Sequence, residues 1–63
     1  MQLTEKENEI MALAAKGFGC NQIAEKLFLS PHTIKNHLHR IYTKNNVHSL
    51  LEAVVLYLKL NTD

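Results

Sequence analysis

Signals that start and stop helices recur so closely along this chain that no other secondary structure has room to form. Thr4 and Glu7 have capping-box spacing: the threonine hydroxyl accepts from the Glu7 amide while the Glu7 side chain reaches back to the Thr4 amide. Glu5, Glu7 and Glu9 suit the positive end of that helix's dipole. Ile10, Leu13 and Ala14 then recur at helical intervals, and Gly17 supplies a stop. A shorter helix begins after Gly19, an acceptable N-cap, and carries Ile23, Ala24 and Leu27 on one face. Phe28, Leu29 and Ser30 form a tight connection. Ser30-Pro31 is a strong start for the next helix, because serine caps and proline prefers the first helical position. Asn45-Asn46 ends it, since asparagine tolerates the left-handed conformation of a C-cap. Ser49 and Glu52 repeat the capping-box spacing at the last helix. These signals predict helices over about residues 5–16, 20–27, 31–44 and 50–60 of a single domain covering 1–63. The predicted fold class is all-α, a four-helix domain with a central helix-turn-helix.

The 63-residue length restricts function as much as fold. A domain of this size hides only about 60% of the surface its unfolded chain exposes, which leaves one small core. An enclosed catalytic cleft needs several hundred cubic ångströms, and three or four short helices rarely supply it. No nucleophile and base, glycine-rich phosphate loop or carboxylate dyad stands at a workable spacing, so an enzyme is not expected. The single cysteine, Cys20, excludes an intramolecular disulfide and a thiolate zinc cluster, and it suits a reducing, cytoplasmic compartment. Apolar runs fall short of the roughly 18 residues that span a bilayer, and the polar and acidic residues after Met1 do not resemble a signal peptide, so no membrane partner is expected.

A net charge of +1 does not itself point to a polyanion. The distribution does. Glu5, Glu7, Glu9 and Glu25 precede Lys26, and the next carboxylate is Glu52; between them lie Lys35, Arg40, Lys44 and all four histidines. A local positive field of this kind is the footprint of a nucleic-acid site, although a solvated basic face would look the same. On the third helix Ile34, Leu38 and Ile41 form one apolar stripe, while His32, Thr33, Lys35, Asn36, His39, Arg40 and Thr43 point away from it. A helix with such a face fits a DNA major groove about 12 Å wide. The fourth helix has two apolar stripes, Leu50, Ala53, Val54 and Tyr57 on one and Leu51, Val55 and Leu58 on the other. One small core has room for one stripe, so the second predicts a partner, or else a differently tilted helix.

Taken in order, Leu3-Thr4-Glu5-Lys6-Glu7, Gly17, Ile23-Ala24-Glu25-Lys26-Leu27-Phe28-Leu29-Ser30, Thr33-Ile34-Lys35-Asn36-His37-Leu38 and Glu52-Ala53-Val54 closely resemble the LuxR-type DNA-binding domain. That family supplies the C-terminal effector module of many bacterial response regulators and quorum-sensing regulators. The resemblance implies a transcription regulator whose third helix enters the major groove of duplex promoter DNA. Lys35, Asn36 and His39 fall on base-reading positions, and Thr33, His37, Arg40 and Lys44 on backbone-contacting ones, helped by the amides that open the second helix. Lysine can donate to guanine and asparagine can bridge adenine, while hydroxyl and cationic groups hold phosphates. The resemblance further implies a homodimer through the fourth helix, with Leu51, Val55 and Leu58 at the interface, a contact with RNA polymerase, and no cofactor. Two departures stand out: Asn46 replaces a customary glycine, and Leu50 replaces a customary arginine.

Other chemistries are weaker in the same residues. His37 and His39 point to different helix faces and lack a completing ligand pair, so a metal site is not expected. His37 also lies close enough to the apolar stripe to be partly a packing residue. Cys20 opens a helix, where the dipole favours a thiolate, yet an ordinary first-turn residue explains it equally. A sigma-factor promoter-contacting region shares the opening and the turn but ends after its reading helix. A protein-interaction module would use the fourth helix alone.

Overall fold

The computed structural model describes residues 1–60 and is all-α. Its helices are α1 (Glu5–Ala15), α2 (Cys20–Leu27), α3 (Pro31–Asn45) and α4 (Leu50–Leu60). The last residues of the predicted domain, 61–63, lie outside the described residues.

Each helix begins on the chemistry its first residues carry. Thr4 Oγ1 accepts from the Glu7 amide at 3.2 Å, and Glu7 Oε1 accepts from the Thr4 amide at 2.9 Å. At α2 the glycine cap offers no side chain, and only Gln22 reaches back, to the Gly19 amide at 2.9 Å. Ser30 Oγ accepts from the Thr33 amide at 3.1 Å, with Pro31 in the first turn. At α4 the box is skewed: Ser49 Oγ accepts from the Glu52 amide at 3.2 Å, but the Glu52 carboxylate takes the amide of His48, at 2.6 Å.

The first three helices end by one shared device. The amides of Phe18, Leu29 and Val47 donate back five residues, to the carbonyls of Leu13 (3.3 Å), Ala24 (2.8 Å) and Tyr42 (3.0 Å). Such a closure requires the residue just before the donor to be left-handed. Gly17 (φ +98°), Phe28 (φ +58°) and Asn46 (φ +54°) fill that position. The next residue in each case is apolar and packs against the core, so each closure turns the chain and also buries a side chain. Asn46 thus takes the conformation that a glycine would otherwise provide. Phe28 is the unexpected member, an aromatic residue at positive φ with its side chain 94% exposed.

The core draws on every helix: Ile10, Met11 and Ala14 from α1, Ile23 and Ala24 from α2, Ile34, Leu38 and Ile41 from α3, and Ala53 from α4. Leu13, expected on the core stripe, lies at its edge, whereas Met11 is fully buried. Each fully buried isoleucine contributes about 1.5–3 kcal/mol relative to an exposed one. On α4, Leu50, Val54 and Tyr57 flank Ala53 against this core, while Leu51, Val55 and Leu58 face outward.

Glu7 is the one buried charged residue among the described residues, at 3% exposure. Its carboxylate, besides closing the capping box, receives the ammonium of Lys44 from the last turn of α3. Next to Lys44, the side chain of Asn45 donates to the carbonyls of Gln2 (3.0 Å) and Ile41 (2.9 Å) and accepts from the Gln2 amide. The far end of α3 is thereby fastened to the beginning of the chain. Burial pushes the Glu7 carboxyl up, but the hydrogen bond from Lys44, the Thr4 amide and the Lys44 charge outweigh it, and the group is held below its ordinary 4.5.

A carboxyl depressed by folding contributes stability that is present above pH 4.5 and is lost as the pH falls through the folded-state value. Glu7→Gln is therefore expected to destabilise the domain at neutral pH by about 2 kcal/mol, a modest figure because the Lys44 side chain keeps 34% of its surface in water. Denaturant unfolding followed by circular dichroism should show the gap between the two proteins narrowing as the pH falls below 4.5 and through the depressed folded-state value of Glu7. Parallel curves across that range would contradict the assignment. Phe28→Gly should raise stability by about 0.5–1 kcal/mol, since it removes left-handed strain without removing a packed side chain; a loss of stability would show that the exposed ring contributes to the fold.

Candidate nucleic-acid interface

The placement of α3 follows from its two ends. Ser30 and Pro31 fix where it starts, and Lys44 and Asn45 fix where it finishes. Between them the Ile34, Leu38 and Ile41 stripe is buried, so the rotation of the helix is set and the opposite face is turned to solvent. On that face Lys35, Asn36, His39 and Arg40 are exposed, and Thr33 and His37 are half-buried at its margins.

Among the described residues, none of the side chains of Lys35, Asn36, His37, His39 or Arg40 takes part in a hydrogen bond or an ion pair. They are donors in want of acceptors. Thr33 shares a 2.9 Å hydrogen bond with Ser30, which places both hydroxyls together where α3 begins. The first amides of α2 lie uncapped by any side chain of Gly19, a second group of backbone donors. Lys44 is differently placed. Its ammonium is committed to Glu7, so a phosphate reaching it would share it with that carboxylate.

Two open clefts flank the last turns of α3. One, of about 450 Å³, is lined by Thr4, Glu7, His39, Arg40, Thr43 and Lys44. The other, of about 370 Å³, is lined by His39, Tyr42, Thr43, Asn46, Val47 and His48. His39 borders both, and Thr43 Oγ1 donates to its carbonyl at 3.0 Å. Lys26, which opens the acid-free stretch, lies over the ring of Phe18 at 4.4 Å from its centre and lines a third cleft with Gln22 and Glu25. Cys20 is half-buried against the core, and burial pushes the Tyr42 hydroxyl up.

Sequence reasoning gathered the residues of this face but missed what holds it. In the sequence Glu7 is legible as half of a capping box and as a first-turn acid suited to the helix dipole, not as a buried ion-pair partner. Yet it stands three residues before Ile10 and seven before Ala14, which places it on the buried stripe and signals that a cation must meet it there. No comparable signal announces the Asn45 to Gln2 bonds. The outer stripe of α4 is exposed at Leu51 (74%), Val55 (48%) and Leu58 (46%), and Leu60 adds to it.

A family profile described as "Bacterial regulatory proteins, luxR family" matches residues 1–57. The chain is 47% identical over 57 residues to the oxygen regulatory protein NreC of Staphylococcus epidermidis, covering 90% of this chain and 26% of that protein. It is 46% identical over 57 residues to NreC of Staphylococcus aureus, with the same coverage. To the nitrate/nitrite response regulator protein homolog of Haemophilus influenzae it is 39% identical over 59 residues, 94% of this chain and 28% of that protein. The chain thus spans about a quarter of the length of these relatives. The four-helix architecture, the donor-rich face of α3 and the match over residues 1–57 lead to one conclusion: this DNA-binding, helix-turn-helix chain belongs to the luxR family of bacterial regulatory proteins.

Proposed function

We propose that the chain binds a specific operator in duplex DNA with α3 in the major groove. Lys35, Asn36 and His39 read base edges, and Thr33, His37 and Arg40, with the first amides of α2, hold phosphates. Lys44 sits at the edge of this set, its charge shared with Glu7. The observation that carries the reading is the unpaired donor face of α3, opposite a stripe too well buried to rotate. A groove of phosphates and acceptor-bearing base edges supplies what that face lacks.

Pairing two such chains on one operator falls to α4. Leu51, Val55 and Leu58 form an apolar strip that the core leaves uncovered, and a second copy offers the same strip. A two-fold pair of reading helices then engages half-sites about one helical turn apart. The relatives are named as an oxygen regulatory protein and as a nitrate/nitrite response regulator homolog. Their length leads us to place this domain as the DNA-binding end of a signal-responsive regulator.

Fluorescence anisotropy on a duplex selected from a random pool tests the reading directly. Log affinity should fall with log salt at a slope near −0.9 per phosphate neutralised, and a flat line would refute it. Lys35→Ala or Asn36→Ala should cost about 1–3 kcal/mol on the selected site and relax base choice there, whereas Arg40→Ala should weaken selected and random duplexes alike. Equal losses from both kinds of change on both duplexes would overturn the division of roles. For the dimer, sedimentation of Leu51→Glu/Val55→Glu with the selected duplex should show one chain per operator where the parent shows two, with helicity unchanged. Two chains still bound would exclude this face of α4 as the interface.

A further inference from the structure

His39 differs from the other histidines of α3. It is exposed, stands one turn beyond Lys35 on the same side of the helix, and borders the clefts on both flanks. Among the described residues neither of its ring nitrogens has a hydrogen-bond or ion-pair partner. The charged and titratable groups around it are few. From α3 come Lys35, Arg40, Lys44 and Tyr42; from α1 comes Glu7, already balanced by Lys44; from the connection to α4 comes His48. Neither α2 nor α4 lines the two clefts. Among the described residues no free carboxylate therefore lines these clefts to hold a charged imidazole, and a DNA groove supplies the acceptors it lacks.

We propose that His39 is a specificity-determining residue whose choice of base depends on its protonation, and that it selects guanine as the imidazolium. This rests on the reading of α3 as the groove helix. A neutral imidazole offers one donor and one acceptor, and its acceptor can take the amino hydrogens that adenine and cytosine present in the major groove. The imidazolium offers two donors and no acceptor, so those amino groups are rejected. Guanine, with O6 and N7 side by side, is the base edge richest in acceptors and gains a charge-assisted bond. Binding to a guanine-bearing site thus takes up a proton at His39, and base choice at one position of the half-site narrows as the pH falls. His37, which the same reading places on a phosphate, bears on all sequences alike and leaves the base preference unchanged.

The test is selection of bound sites from a random duplex pool at about pH 8 and about pH 6, a span over which imidazoles change charge. The parent chain should raise its guanine preference at one half-site position about fivefold at the lower pH, the margin of a charge-assisted over a neutral hydrogen bond. His39→Gln keeps a donor and an acceptor without titrating and should show the same preference at both values. His39→Arg should show the high guanine preference at both. An unchanged preference in the parent, or a pH response that survives in His39→Gln, overturns the proposal while salt-dependent DNA binding persists. Absence of salt-dependent duplex binding by every variant would instead remove the reading of α3 on which it rests.

Discussion

A single carboxylate decides which way this domain faces. Glu7 is buried beside the core, closes the first helix through Thr4, and meets the ammonium of Lys44 from the opposite end of the third. Replacing such a pair by packed apolar residues is often neutral for stability, so its importance here lies in placement. A buried carboxylate left without a cation is costly, and Lys44 meets Glu7 only when α3 lies in one register against α1. With that register set, and Asn45 tied to the backbone of Gln2, the Ile34, Leu38 and Ile41 stripe has one way to enter the core. The donors on the other side are then presented to solvent as a fixed array.

The turns support the same geometry with little chain. Three helices stop with an amide donating back five residues, and in each case the apolar residue that donates packs against the core. The connections can therefore be short without leaving backbone groups unpaired. Short connections matter because a domain of this length has little apolar surface to hide, and long loops would add entropy without adding core.

Much of this was legible in the sequence because its signals are local. Capping pairs, Ser30-Pro31, Gly17 and Asn46 each specify a conformation within a few residues, and helical periodicity separates the buried stripe of α3 from its polar face. Two features escaped for opposite reasons. Phe28 adopts a conformation that its own side chain disfavours, so local propensity argued against it and the tight turn between α2 and α3 overruled that preference. The Glu7 to Lys44 pair joins residues 37 apart, and nothing in either neighbourhood names the other. The candidate site divides in the same way: which residues share the face of α3 follows from period alone, while the fact that Lys44 is balanced and Lys35 and Arg40 are not emerges only from packing.

On the proposed reading, the register held by Glu7 and Lys44 turns Lys35, Asn36 and His39 towards DNA. A titration of the isotopically labelled chain with the selected duplex, followed by nuclear magnetic resonance, measures that most directly. The largest shifts should fall on the side chains of Lys35, Asn36 and His39 and on the first amides of α2, with the Glu7 and Lys44 signals retaining their paired state. Shifts concentrated on the outer face of α1, around Lys6, Glu9 and Lys16, with Lys35, Asn36 and His39 unmoved, would contradict it.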